Sequence, residues 1–250
     1  SGCNNCDWLK GISVVTQDGK PRLLPSGAPD ARMMVFPAGQ VTLLDTWQVT
    51  GLAGSGSGDM EVHDIRVPEA FSYSLVAGKP YETGPLYAFP PFGLLAMGIA
   101  AVALGNARAA IDDLVDLAGA KKPQGSKRTL AERAAAQSEL AQAEATLRSA
   151  RAFYYEAIGD AFRKAQTGDP ISIEDRALLR LAATHATRRS AEVVRAMYEL
   201  GGGTVVYSAH PLQRRFRDAY AATQHMMIAP PSWELAGRVL MGLPTDASML

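Results

Sequence analysis

Asp45-Thr46-Trp47-Gln48-Val49-Thr50-Gly51, continuing through Gly54-Ser55-Gly56-Ser57-Gly58-Asp59 to Val67-Pro68, is the stretch whose reading decides the fold. It reads as a strand, a glycine-rich turn and a second strand. A glycine cluster behind a strand raises a dinucleotide-binding fold, which needs a helix opening directly after the glycines, because the helix N-terminus holds the pyrophosphate. Here the glycines are followed by Met60-Glu61-Val62-His63-Asp64-Ile65-Arg66-Val67. Met60, Val62, Ile65 and Val67 mostly alternate, which predicts a strand over 60–67. Gly56 and Gly58 are therefore expected in a turn that needs positive φ. The dinucleotide fold is excluded.

Working outward, residues 1–86 carry short strands and turn residues, among them Asp18-Gly19-Lys20-Pro21 and Pro25-Ser26-Gly27, with no sustained helical period. From Pro91 the pattern changes to long Ala-, Leu-, Arg- and Glu-rich segments. The first, 91–118, is apolar nearly all round at its start and is expected at the centre of a bundle. Thr129-Leu130-Ala131-Glu132 reads as a capping box opening a second helix that runs to Gly168, roughly 38 residues and about 57 Å long. Ser172 and Asp175 cap a third helix that stops at Gly201-Gly202-Gly203. Pro211 opens a fourth and Ser232 a short fifth. The expected fold is α+β: a small antiparallel β-domain over 1–86, followed by a four-helix bundle over 87–250.

Lys+Arg and Asp+Glu are both 25, so the net charge is zero and no polybasic surface for nucleic acid is implied. A hydrophobic share of 47% suffices for a core. The longest apolar run, 92–105, falls short of the roughly 20 residues of a membrane span. No signal peptide pattern opens the chain, so a cytoplasmic location is expected. Cys3 and Cys6 form a Cys-x-x-Cys spacing, but the next residues, Trp8 to Val15, read as a strand rather than the helix of a thioredoxin-like motif. No further ligands stand at the spacing a structural zinc site needs, so two reduced thiols at a strand start are expected, and no metal.

Val62-His63-Asp64-Ile65-Arg66-Val67-Pro68 resembles the "(F/V)-x-D-V-x-V-P" strand end of the middle β-domain in the acyl-CoA dehydrogenase superfamily. The spacing Trp47-x-x-x-Gly51-x-x-Gly54-Ser55-Gly56-Ser57-x-Asp59 is similar to one branch of it, the two-component flavin-dependent monooxygenases. The order of motifs along the whole chain carries the resemblance. Tyr198-Glu199-Leu200-Gly201-Gly202-Gly203 resembles that family's "Q-x-x-G-G" turn, with Glu199 where glutamine is usual. The resemblance implies that Gly202 and Gly203 approach the dinucleotide of a neighbouring subunit's flavin. An ordinary helix C-cap explains the same glycines. Gln137 stands where the family places a glutamine on that dinucleotide. Lys127 and Arg128 are candidates for the flavin phosphate or, equally, a solvated basic pair. Ser1, with Gly2 and Cys3 beside it, falls where the family contacts the flavin ring. The family's N-terminal helical domain, which closes one side of the pocket, is missing ahead of Ser1, so a full pocket is not expected from these residues alone.

Arg217-Asp218-Ala219 resembles the family's "R-D-A". In the common dehydrogenases a catalytic glutamate follows seven residues later, where this chain has Met226, and a thioether cannot abstract an α-proton. No Glu or Asp lies between Asp218 and Glu234. His225 stands there instead, as in the monooxygenase branch, and a histidine can hold or release a proton near neutrality. A hydrogen-bonded structural histidine is the competing explanation, and His63, His185 and His210 are expected to be structural or on the surface. The resemblance thus implies an oxygenase component that takes reduced flavin (FAD or FMN) from a separate reductase and oxygenates a small aromatic or amine substrate through a C4a-hydroperoxide. It further implies a homotetramer. An acyl-CoA dehydrogenase and a non-catalytic oligomerising fragment are the alternatives.

Overall fold

The structure is a computed structural model that describes residues 2–75, 77–248 and 250. The chain divides into two compact units, residues 1–49 with 53–81 and residues 50–52 with 82–250. Among the described residues the first unit is antiparallel β and the second is helical, an α+β chain.

In the first unit, β1 (Trp8–Val14), β4 (Ala31–Pro37) and β7 (Ser72–Tyr73) form a three-stranded sheet in the order β1-β4-β7. Leu9 lies opposite Phe36 in the antiparallel register, and both are buried, so a cross-strand pair is the sheet's core. Trp8 stacks on Phe71 with ring centroids 5.3 Å apart. β2 (Thr16–Gln17) and β3 (Lys20–Pro21) form a hairpin whose turn residues Asp18 and Gly19 both have positive φ, 51° and 75°. That is the turn conformation which matches strand twist.

The deciding stretch differs from its expected form. Its hairpin is β5 (Thr42–Leu43) against β6 (Met60–Glu61), only two residues a side. Residues 45–50 form no strand, and the strand expected over 60–67 stops at Glu61. Asp64 takes φ 49°, which a ladder does not accommodate, so alternation of apolar residues continues while pairing ends.

The helical unit holds α1 (Pro91–Ala120), α2 (Ala134–Thr167), α3 (Ile173–Gly201), α4 (Pro211–Ala222) and α5 (Pro231–Leu240). α3 is the central element and packs on each of the other four. Its Leu179, Val193, Val194 and Met197 are fully buried. α2 turns Ala136, Ala143, Ala150 and Ala157 inward at a strict seven-residue spacing, and small residues there let the helices approach closely. By length and composition α1 could cross a membrane, but its apolar face supplies bundle core through Ala96, Ala100, Ala107, Ile111 and Leu114. The Ser172–Asp175 capping box is present, with Asp175 N–H on Ser172 Oγ and Ser172 N–H on Asp175 Oδ2.

α2 begins at Ala134, five residues after the expected start. The Glu132 carboxylate does reach back to the Thr129 N–H at 2.6 Å, but the Thr129 hydroxyl also donates to that carboxylate instead of capping Glu132 N–H. Leu130 is buried and its N–H donates to Lys121 O at the end of α1. This tie to another helix holds 129–133 in turns. The far end falls at Gly168, φ 78°, as the glycine implies.

Candidate functional site

The glycine-rich segment builds a cleft within the first unit. Leu44 N–H donates to Asp59 O, and Asp59 N–H donates to the Thr46 hydroxyl, closing the loop at its base. At Gly58 a Cβ would stand 2.7 Å from Leu44 O, so no side chain fits at this closure. Gly2 N–H donates to Ser55 O at 2.8 Å and Cys3 Sγ to Gly56 O at 3.6 Å, which seats the start of the chain on the loop. Between them lies a cleft of ≈ 310 Å³ lined by Cys3, Asp45, Trp47, Gly56, Gly58 and Asp59. Of the residues expected at the flavin ring, Gly2 and Cys3 are thus at this loop, while Ser1 lies outside the described residues.

In the helical unit, two motifs read separately in the sequence meet. Leu52 N–H donates to Asp218 Oδ1 at 2.6 Å, with Leu52 at φ 57°. A Cβ on Gly51 would stand 2.3 Å from Arg217 O, so only glycine lets residues 50–52 lie on α4 here. Asp218 is therefore already engaged in holding backbone.

Past Asp218, α4 stops at Ala222, and its last carbonyls, from Ala219 to Ala222, are met locally by Thr223 N–H and hydroxyl, Gln224 N–H and His225 N–H. α3 reaches the carbonyls of the segment that follows. Arg180, 3% exposed, donates from Nη1 to Met227 O at 3.1 Å, and Arg188 Nη2 lies 3.4 Å from Thr223 O. Ser232 Oγ also donates to Met227 O. Burial lowers the Arg180 pKa. His225 sits inside this collar, and its Nδ1 accepts the Met227 N–H at 3.2 Å. Nδ1 is then the unprotonated nitrogen, and the neutral ring presents Nε2–H. The residue as a whole is exposed, but partial desolvation of the ring, and second the charge of Arg180, hold its pKa below the usual histidine value. Met226 beside it is 68% exposed and offers no base. The collar arginines escaped the sequence reading. Nothing in their spacing sets Arg180 and Arg188 apart from the other arginines of α3, whose buried face also carries Thr184, Thr187 and Ser190.

The opposite end of the bundle gathers the other candidates. α3 ends at Gly201, and Gly202 takes φ 53°, ψ −150°. Lys121, at the end of α1, donates to Gly201 O and to Thr204 Oγ1 at 2.8 Å, and partial burial lowers its pKa. The connection from Lys121 into α2 carries Lys127 and Arg128, both exposed. Gln137 is exposed too, with its amide on Ala131 O at 2.8 Å beside an apolar hollow of ≈ 110 Å³ lined by Leu114, Leu130 and Leu140. Arg180 and Gly201 stand twenty-one residues apart on α3, about 31 Å at 1.5 Å per residue. Within one chain, His225 and the group of Lys127, Arg128, Gln137, Gly202 and Gly203 are therefore at opposite ends. The remaining histidines have local partners: His63 faces Glu61, His185 meets the edge of Phe153, and His210 Nδ1 caps α4 by accepting Leu212 N–H.

The sequence profile of the acyl-CoA dehydrogenase C-terminal domain matches residues 97–230, more than half of the chain. An indole-3-acetate monooxygenase of Pseudomonas putida is 36% identical over 242 residues, covering 97% of this chain and 60% of that protein. The oxygenase component of an FADH(2)-dependent resorcinol hydroxylase from a Rhizobium species is 26% identical, covering 96% of this chain and 60% of its own length. The crystal structure of 3-HSA hydroxylase from Rhodococcus sp. RHA1 superposes with TM-score 0.89 at 27% identity, covering 100% of this chain and 65% of that one. The chain thus spans about three-fifths of the length of the curated relatives it matches.

The collar generates a titration with a definite sign. As pH falls through the ordinary histidine value of about 6.5, the unfolded chain takes up a proton that the folded His225 still refuses. Its contribution to stability is therefore complete above that value and is lost as pH falls toward the lowered folded pKa; His185, also lowered by burial, has the same sign. Histidine NMR is expected to give a His225 midpoint below 6.5, with Arg180→Gln raising it in part, because burial is the larger cause. A wild-type midpoint at or above 6.5 contradicts the collar's effect.

Proposed function

This chain belongs to the acyl-CoA dehydrogenase family, and from that premise we propose that it is part of the oxygenase component of a two-component flavin-dependent monooxygenase. The observation that carries the reading is the end of α4. The carboxylate that segment does contain, Asp218, is committed to Leu52 N–H, and the position following it in register is Met226. What stands free to act is a neutral histidine offering Nε2–H. An α-proton abstraction lacks its base here, whereas proton donation and recovery at an oxygen atom suits this imidazole. The names of the relatives, an indole-3-acetate monooxygenase and a resorcinol hydroxylase oxygenase component, support the same choice over a dehydrogenase. They also favour a small aromatic substrate over an amine.

The residues present fit a flavin, FAD or FMN. A cleft of ≈ 310 Å³ with Trp47 on its wall and glycine backbone approach suits a planar ring system. Arg128 and Lys127 stand exposed as donors for phosphate. Reduced flavin, supplied by a separate reductase, provides the electrons and activates dioxygen when bound. Within the first unit, the segment of Gly2, Cys3 and Trp47 would hold the ring; within the helical unit, burial and Arg180 keep His225 neutral with its proton on Nε2.

The division of candidates between the two ends of α3 supports an assembly. A five-carbon ribityl chain cannot bridge about 31 Å. Gly202, Gly203, Gln137, Lys127 and Arg128 therefore serve a neighbouring subunit's cofactor in a homotetramer, with 1–86 as the flavin-facing domain and 87–250 as the bundle. Exposed Leu94, Leu95 and Val102 on α1 supply apolar surface for the contact. We propose a cytoplasmic location, as the sequence reading expects. Light scattering is expected to show a multi-chain particle, and a monomer at every concentration contradicts the shared site.

The oxygenase reading is tested by labelled dioxygen. With reduced nicotinamide, a flavin reductase and an aromatic hydroxylation substrate, one ¹⁸O atom is expected in the product. His225→Ala is expected to reduce product formation by about 10²–10⁴-fold, the usual effect of losing a positioned acid or base. Anaerobic bleaching of bound flavin by an acyl-CoA, without label incorporation, supports the dehydrogenase instead.

A further inference from the structure

Cys6 has no part in the proposed oxygenation, and Cys3 enters it only as a wall of the cleft. Yet the two are placed together. Cys3–Asn5 form a single 3₁₀ turn, closed by Cys6 N–H donating to Cys3 O at 3.4 Å. A turn closed in this way brings its end Cα atoms within about 7 Å, and disulfides span roughly 4.4–6.8 Å. Both thiols are free, Cys6 exposed and Cys3 half-buried. Each S–H is set on a carbonyl: Cys3 Sγ on Gly56 O at 3.6 Å, in the cleft wall, and Cys6 Sγ on Gly2 O at 3.2 Å. Gly2 N–H in turn donates to Ser55 O. Among the described residues no third His, Cys, Asp or Glu joins the pair to hold a metal ion.

We propose that Cys3 and Cys6 are a peroxide-responsive pair which closes to an intramolecular disulfide and loosens the cleft that holds the flavin. The proposal rests on the oxygenase reading, because hydrogen peroxide is the by-product when such an enzyme reduces dioxygen without transferring oxygen to substrate. The exposed Cys6 thiolate attacks one peroxide oxygen; the O–O bond breaks, leaving Cys6 sulfenic acid, and the departing hydroxide takes up the thiol proton as water. Cys3 sulfur then attacks the Cys6 sulfur, the S–S bond forms, the S–O bond breaks and a second water leaves. Two thiols lose two electrons and two protons, and one peroxide becomes two waters. Both S–H groups disappear, so Cys6 releases Gly2 O within the turn and Cys3 releases Gly56 O, which leaves Gly2 N–H on Ser55 O as the remaining bond from this turn to the loop. So short a closed loop constrains the unfolded chain little, and an exposed disulfide of this kind is readily reduced. It acts as a switch and not as a staple.

The test treats the reduced full chain with one equivalent of hydrogen peroxide and reads mass, free thiols and flavin affinity. The expected result is loss of two hydrogens within one chain, reversed by dithiothreitol, with flavin dissociation constant raised about tenfold, as for one lost hydrogen bond. Cys6→Ser should lose the two-hydrogen signature and hold its flavin affinity through the same treatment. Oxygen additions or cross-linked chains without an internal disulfide overturn the pair. A disulfide that leaves flavin affinity unchanged overturns the switch. A reduced chain that binds no flavin overturns the coupling of the pair to the cleft, the mass measurement decides the pair by itself, and label incorporation from dioxygen decides the oxygenase reading separately.

Discussion

Arg180 and Arg188 of α3, reaching backbone carbonyls of the segment that follows α4, are the interaction on which the candidate site depends. Burying a guanidinium is unfavourable unless its donors are met, and leaving backbone carbonyls buried without partners is unfavourable for the same reason. The two problems resolve each other. A hydrogen bond to a charged group is worth about 1.5–3 kcal/mol, enough to hold residues 223–228 in one conformation. That conformation sets Met227 N–H against His225 Nδ1 and so chooses the tautomer. The same positive charge, added to burial, keeps the imidazole neutral. Position and tautomer of the candidate catalytic residue thus follow from contacts with a different helix, and its neutrality from burial first and Arg180 second.

α3 organises the rest. It packs on all four other helices, and its two ends carry different chemistry. Near the first, the arginine collar surrounds the histidine. At the second, the helix stops at glycine and Lys121 grips the terminal carbonyl and Thr204, which ties α1 and its basic connection to the turn. Helix length converts directly into separation, so one chain keeps the histidine and the glycine turn about 31 Å apart.

Much of this architecture was legible because helix ends obey local rules. Pro91, Pro211, Gly168, the Ser172–Asp175 box and Gly201 mark boundaries that depend on φ, on missing amides and on side-chain caps a few residues away. The misreadings came where distant residues decide. Thr129-Leu130-Ala131-Glu132 carries a capping signature, but Leu130 is drawn to Lys121 and α2 starts later. The 60–67 stretch alternates like a strand, while Asp64 turns the backbone out of the ladder. At the site, His225 was legible as a lone histidine at a telling position. The Asp218–Leu52 bond and the arginine collar were not, because each joins residues far apart in sequence whose types are common on any helix.

Oxygen chemistry at a flavin and proton abstraction from an acyl thioester make opposite demands on the end of α4, and stopped-flow spectroscopy separates them. The reduced-flavin complex is mixed with oxygenated buffer and followed by its absorption. A monooxygenase gives a transient whose spectrum differs from both reduced and oxidised flavin, longer-lived in the wild type than in His225→Ala. Direct return to oxidised flavin with no transient, together with anaerobic reduction of the oxidised complex by an acyl-CoA, would contradict the oxygenase assignment.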